Sequence, residues 1–375
     1  MSQTKAQLIS GTSSQSVTFN DATISSLNGG ALSGARNRII NGDMRIDQRN
    51  AGASVTPANG AFTYVVDRWN YYVSQASKLT SQQSSVAPTG FSNSLLTTSS
   101  SAYSVLAADS FVLVQFIEGL NVADLGWGTA SAQTVTLSFQ VRSSLTGTFG
   151  GAVTNSAQNR SYPFTYTISA ANTWESKTVT IPGDTTGTWL TTNGKGLALW
   201  FGLGVGSNSS GTAGVWAGAN YLSATGATSV VGTNGATFYI TGVQLEAGSV
   251  ASPFERRDYG RELIMCQRYY QQWGGNTNFE RIGNAYCHSS TQARADIVLV
   301  VTMRSTPTLT VSANNHWAVE IAGSAPVCNN ITLDQASPRI ASTNLDVASG
   351  LTAGQGCHIR AENTSSARFN LSAEL

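Results

Sequence analysis

Along most of the chain, apolar and polar residues alternate with a period of two, in short runs broken by glycine-rich turns. In Thr134-Val135-Thr136-Leu137-Ser138-Phe139-Gln140-Val141 the apolar side chains fall on one face and the polar ones on the other, as in a half-buried strand. Gly196 to Val205 repeats the pattern, with Leu197, Leu199, Phe201, Leu203 and Val205 predicted inward and Ala198, Trp200, Gly202 and Gly204 on the opposite face. Phe111 to Ile117 is apolar on both faces, which predicts a central strand. Tyr64 to Val73, Tyr162 to Ile168, Trp174 to Ile181 and Thr237 to Leu245 extend the series. Turn clusters such as Pro57-Ala58-Asn59-Gly60, Pro182-Gly183-Asp184 and Thr192-Asn193-Gly194 separate them. Without crossover helices, these strands predict a jelly-roll β-sandwich over residues 37–256.

One stretch departs from the period of two. Between Asp258 and Gly274-Gly275 the apolar residues Tyr259, Leu263, Cys266, Tyr270 and Trp273 recur at intervals of four, three, four and three. That spacing predicts a linker helix over 257–275, stopped by the glycine pair. The stripe is too short to sustain a coiled coil alone. It either packs on its own sandwich or forms a trimer seam where copies of the chain meet.

After Gly275 the strands return. Asp296 to Met303 reads as a buried strand, ended by Arg304-Ser305-Thr306-Pro307. Leu309 to Ser312, Trp317 to Ile321, Asn330 to Leu333, Cys357 to Ala361 and Ala367 to Ala373 follow. They predict a smaller antiparallel β-sandwich over 276–375, the last strand closing the chain. Residues 1–36 carry few large apolar side chains, in two short runs at Val17 to Phe19 and Ile24 to Leu27. That is too little for a core, so the segment is either a disordered tail or an extended arm ordered against a partner. The expected class is all-β with one short helix.

Composition changes this picture in one respect. Charged residues make up 11% of the chain, against about 25% in an ordinary soluble protein. Hydroxyls and amides solvate the surface instead. The net charge is +1 and the longest basic run is Arg256-Arg257, which argues against nucleic-acid binding through phosphates. The first residues lack a signal-peptide core, and no apolar stretch predicts membrane insertion. Cys266, Cys287, Cys328 and Cys357 are scattered, with no Cys-x-x-Cys, and read as reduced and buried.

No phosphate-binding loop, dinucleotide fingerprint, zinc-protease motif or nucleophile elbow is present in the sequence. Glu118, Asp124, Glu175 and Asp184 are carboxylates of the kind glycoside hydrolysis needs in pairs, but nothing in the sequence pairs them. The dipeptides Cys287-His288 and Cys357-His358 point their two side chains to opposite faces of a strand, so no metal or other cofactor is expected. The aromatics are more informative. Sugars stack their C–H faces on Trp and Tyr rings while amides, carboxylates and arginines bond the hydroxyls. On that chemistry the candidate contacts are Trp200 on the open face of its strand, Trp216 and Tyr221 in a Gly/Ala-rich loop, and His316 and Trp317 at the end of a polar turn. Trp127, between Gly126 and Gly128, is a further one. For each the alternative is a buried ring with its polar atom bonded.

Three stretches in order carry a family resemblance: Arg36-Asn37-Arg38-Ile39-Ile40-Asn41-Gly42-Asp43-Met44; Asp67-Arg68-Trp69; and Gly242-Val243-Gln244-Leu245-Glu246-Ala247-Gly248 with Pro253-Phe254-Glu255, Glu262-Leu263 and Cys266-Gln267-Arg268-Tyr269-Tyr270. The chain resembles tail-fibre and receptor-binding proteins of tailed bacteriophages, whose large domain is similar to jelly-roll carbohydrate-binding modules. Met303-Arg304 with Pro307, and Ala373-Glu374-Leu375, resemble the distal domain of the same proteins. The resemblance implies a virion protein made in the host cytoplasm and acting at the host surface. It implies a homotrimer attached through residues 1–36 to a phage tail, baseplate or adaptor protein, with a distal C-terminal domain. The expected role is adsorption to bacterial surface polysaccharide without catalysis. The alternatives are a purely structural tail or capsid component and a polysaccharide-degrading tailspike. The motif residues themselves read as architectural.

Overall fold

The computed structural model describes residues 35–375. The arm expected at 1–36 lies outside these except for Ala35 and Arg36. Where the described chain begins, the backbone N–H groups of Ala35 and Asn37 donate to the two Glu255 carboxylate oxygens at 2.5 and 2.7 Å.

The large domain is a sandwich of two antiparallel sheets. One has six strands in the spatial order Thr63–Val66, Trp69–Val73, Ser110–Glu118, Lys195–Val205, Gly147–Asn155, Ser161–Ile168. The other has five, in the order Leu79–Ser84, Ser94–Ser99, Thr237–Ala247, Val135–Ser143, Glu175–Ile181. Alternation sorts the side chains as the sequence predicts. Val135, Leu137, Phe139 and Val141 meet Leu197, Leu199, Phe201 and Leu203 in the core between the sheets. The Ser110–Glu118 strand is buried along its whole length and feeds two clusters, Phe111, Leu113 and Ile117 inward and Val112, Val114 and Phe116 outward. Val205 differs from expectation. The register shifts between Gly202 and Gly204, so Val205 turns to the outer cluster beside Trp200. Gly204 sits there at φ 156, which a side chain would strain.

The smaller domain packs a three-stranded sheet, Tyr270–Trp273, Phe369–Ser372, Thr308–Val311, against a six-stranded one. The latter runs Trp317–Glu320, Gly356–Ala361, Arg281–Cys287, Gln292–Val298, Ile340–Val347, Cys328–Ser337. Cys287, Cys328 and Cys357 lie in its core. The strand expected at Asp296 to Met303 stops at Val298, and Val298 and Val300 are 73% and 62% exposed. Among the described residues, no further sheet covers Val298 or Val300.

The helix is shorter than its stripe. It spans Tyr259–Gln267, started by the Asp258 carboxylate accepting the Arg261 N–H at 2.9 Å. Tyr270–Trp273 then forms a strand against Phe369–Ser372. Aromatic residues favour a pleated, half-buried surface, and a partner strand is waiting. The five residues therefore do not share one helical stripe: Cys266 and Tyr270 are buried, Tyr259 is 55% exposed, and Trp273 lies on a different element from Leu263.

A buried polar network joins the domains, and the sequence motifs supply it. Asn41 donates to the carbonyls of Ile46 and Asp67 at 2.8 and 2.9 Å, accepts from the Ile46 N–H at 2.9 Å, and its own carbonyl accepts the Trp69 indole N–H at 2.9 Å. Arg68 pairs with Glu374, donates to the Phe116 carbonyl at 2.6 Å and stacks 3.6 Å from the Tyr269 ring centroid. Arg49 takes the other Glu374 oxygen at 2.6 Å and lies 3.6 Å over the Tyr270 ring. Arg304 donates to the carbonyls of Ala373 and Glu374 at 2.8 and 2.7 Å. The last strand is thus Phe369–Ser372, and residues 373–375 fold back on the large domain, where Leu375 packs near Trp200.

Candidate functional site

At one end of the sandwich, three loops bring together aromatic residues that are far apart in sequence. The first loop, after the Ser110–Glu118 strand, makes two short 3-10 turns and carries Trp127. The second, after Glu175–Ile181, carries Trp189; the third, ahead of the short Ser223–Ala224 strand, carries Trp216. Glycine permits the close approach. A Cβ on Gly128 (φ 84) would lie 2.7 Å from the Gly187 carbonyl oxygen, and one on Gly187 would meet Arg160 at 2.6 Å. The Gly128 N–H donates to the Asp184 carbonyl at 2.7 Å, locking the first two loops together.

The rings of Trp127 and Trp189 meet edge to face with centroids 4.7 Å apart, and Trp216 stands 5.4 and 5.6 Å from them. Tyr162 adds a fourth ring 5.2 Å from Trp216. Each indole N–H is already used: Trp127 donates to Gln133, Trp189 to Thr186 and Trp216 to Pro182 carbonyls, at 2.7, 3.2 and 2.9 Å. What the cluster offers a ligand is therefore ring surface. Beside it is a largely enclosed, mainly apolar pocket of about 170 Å³ lined by Leu125, Trp127, Thr129, Trp189, Thr191 and Leu197 among others. That is below the range of about 300–1,000 Å³ of drug-sized ligand sites and suits one small ring.

Behind Trp216, Arg160 grips Asp184 through two bonds of 2.7 Å. Burial by itself would raise the Asp184 carboxyl, but the Arg160 guanidinium and the Thr186 N–H and hydroxyl outweigh it and hold it below the usual carboxylate range. The other carboxylates considered from the sequence are likewise tied to cations. Arg268 and Tyr269 bond Glu118 at 2.6 Å each, Arg38 holds Asp124 at 2.6 Å, and Lys177 holds Glu175 at 2.6 Å. Against the effect of burial, Arg268 and Tyr269 keep Glu118 low; Lys177 with the Ala170 N–H does the same for Glu175.

Of the predicted sugar contacts, Trp127 and Trp216 belong to this corner. Trp200 does project from the face opposite the aliphatic core, but it is 1% exposed, bonds Thr154 at 2.9 Å and is covered by Phe116, Leu222 and Leu375. Stacking on it would require that cover to leave, so it is a packing residue. Trp317 is also a core residue, fully buried with its ring edge to face with Phe369 at 5.9 Å. His316, next to Trp317 on the smaller domain, is half-exposed and bonds Ser312 at 2.9 Å. Tyr221 lies flat on Gly211, where a Cβ would stand 2.2 Å from its ring. Trp189, Tyr162 and the Arg160–Asp184 pair were not singled out from the sequence. Trp189 carried a signal, a bulky aromatic just after Thr185-Thr186-Gly187-Thr188, but nothing local to it points to Trp127.

No family model matches this chain, and no curated protein matches it. Several solved structures are similar to part of it. An enzymatically active domain of a tailspike protein of bacteriophage CBA120 shares 11% identity at a TM-score of 0.29, over 56% of this chain and 21% of that one. This chain therefore spans about a fifth of that protein's length. A family 11 carbohydrate-binding module from Clostridium thermocellum shares 10% identity at a TM-score of 0.28, over 53% and 98% of the two chains. A CBM22-1 xylan-binding domain from Paenibacillus barcinonensis shares 8% at 0.26, over 60% and 100%.

Proposed function

We propose that this is a non-catalytic, glycan-binding virion protein of a tailed bacteriophage, and that it adsorbs the particle to bacterial surface polysaccharide. The observation that carries the reading is the tryptophan corner. The rings of Trp189 and Trp216 are partly exposed and pack on the buried Trp127, while all three N–H groups are satisfied, beside a pocket of one-ring size. Thr129 and Thr191 supply hydroxyls at its rim. Such a site holds a single sugar weakly, and joining several copies raises avidity through effective concentration. We therefore place the chain in a homotrimer docked to the tail through residues 1–36. The non-catalytic reading is supported by the pairing of Glu118, Glu175 and Asp184, because a general acid needs a raised carboxyl, not a lowered one.

The test is retardation of the full chain in native gels cast with host polysaccharide. Wild type should be retarded, and Trp189→Ala should lose at least about fivefold in affinity, equivalent to about 1 kcal/mol. A folded protein that no host polysaccharide retards would leave only the purely structural role. Release of reducing ends would establish the degrading tailspike instead, and a monomer in sedimentation would remove the trimer.

A further inference from the structure

We infer that the outer face of the six-stranded sheet in the smaller domain is a second glycan-binding surface, selective for neutral, hydroxyl-rich chains over anionic ones. It rests on the glycan-binding reading above but on none of the residues of the tryptophan corner.

The sheet buries alternate side chains against the three-stranded sheet and turns the others outward. Ala293, Ala295, Ile297, Ala341 and Leu345 lie inward. Their neighbours along the strands form an outward lattice. Register places Tyr286 opposite Arg294, Arg294 opposite Asn344, Asp296 opposite Ser342 and Asn284 opposite His358. Asn284, Tyr286, Arg294, Asp296, Ser342 and Asp334 border an open cleft of about 460 Å³, within the size range of ligand sites of about 300–1,000 Å³. Tyr286 is 49% exposed. The residue opposite it on its other side is Gly356, where an added Cβ would meet nothing within 4 Å, so the space beside the phenol is open.

The polar groups are arranged to receive hydroxyls. Asp296 accepts from Ser342 through one oxygen, and Asn284 Oδ1 meets His358 Nδ1 at 3.0 Å, which leaves the Asn284 amide N–H groups. An aromatic ring flanked by acceptors and amide donors is the pairing that sugars require.

Charge decides the class of ligand. The one cation on the cleft, Arg294, is engaged by Asp334 at 3.9 Å and by Gln292 at 3.3 Å. Asp296 and Asp334 outnumber it, so a uronate or phosphate group would meet repulsion. A neutral chain meets none, and its binding should change little with salt because no ion pair forms on contact.

The experiment is affinity electrophoresis of the full chain through gels containing a panel of neutral glucans, galactans and mannans, with polygalacturonate as the anionic probe. At least one neutral polymer should retard the protein equally at low and high salt, and polygalacturonate should not. Tyr286→Ala and the near-isosteric Asp296→Asn should each weaken that retardation at least threefold, while Trp189→Ala leaves a residual part that Tyr286→Ala removes. The inference is overturned if no neutral polymer retards the protein, if Tyr286→Ala and Asp296→Asn behave as wild type, or if high salt abolishes the binding. Loss on Trp189→Ala alone would keep the corner and remove this surface. Loss on Tyr286→Ala alone would do the reverse.

Discussion

At the domain junction Arg49, Asp67, Arg68 and Glu374 are largely buried and pair with one another; at the tryptophan corner Trp127, Trp189 and Trp216 have satisfied N–H groups, and the rings of Trp189 and Trp216 are partly open. The two regions use opposite chemistry in a chain where charge is scarce. A large share of the charge is committed to holding two β domains in one orientation, and the surface is left to rings, hydroxyls and amides. A protein built this way does not attract its partner over distance. It meets the partner at contact range through weak groups, and the rigidity of the junction keeps those groups aligned.

The largest expected effect follows from removing one member of the junction. Arg68→Ala leaves Glu374 with a single cation, orphans the Phe116 carbonyl and uncovers Tyr269. Breaking a buried pair by deleting one partner costs about 3–5 kcal/mol. Urea unfolding followed by tryptophan fluorescence should show a loss of that size. A loss of under about 1 kcal/mol, as for an exposed pair, would mean that the junction is not the structural centre described here.

Next in size is a pH effect. Burial above all, opposed by Arg49 and Gln48, pushes the Asp67 carboxyl up from 3.8 to about 6. The folded state therefore holds this proton more tightly than the unfolded one. The contribution is fully present below about pH 4 and is lost as pH rises through 6, an effect on the order of 3 kcal/mol across the window. Asp67→Asn keeps the shape and removes the titration. The unfolding free energy of wild type minus that of Asp67→Asn should fall as pH rises from 4 to 7. A difference that stays flat would show that Asp67 is not buried against its neighbours as the junction requires.

The sequence made the two β domains legible because alternation survives burial on one face: Val135 to Val141 and Leu197 to Leu203 could be assigned residue by residue. It failed where a local feature broke the period. The bulge at Gly204 turned Val205 outward, and the helical spacing of Tyr259 to Trp273 ran on past Gln267, because spacing is blind to a strand offered by residues a hundred positions later. The site was less legible for a related reason. A strand's pattern shows which face Trp200 takes, and that assignment was correct, but not that Leu222 and Leu375 cover it. Nor does any local signal bring loops 119–133 and 183–194 together. The motifs were the reverse case: conspicuous in the sequence, they proved to be junction rather than binding site.

The smallest expected effect tests the part of the helix that lies outside both regions. Tyr259 begins the stripe that the spacing singled out, yet its side chain is 55% exposed, and Ile264 nearby is 52% exposed. If the helix serves only to carry the chain from sandwich to junction, Tyr259→Ala should cost under about 0.5 kcal/mol, the range of surface substitutions. It should leave both the sedimentation coefficient and polysaccharide retardation unchanged. A change in sedimentation with no change in the unfolding midpoint of the isolated subunit would place Tyr259 in a contact between copies. The division between buried charge and open aromatics would then have to include a third, intersubunit face.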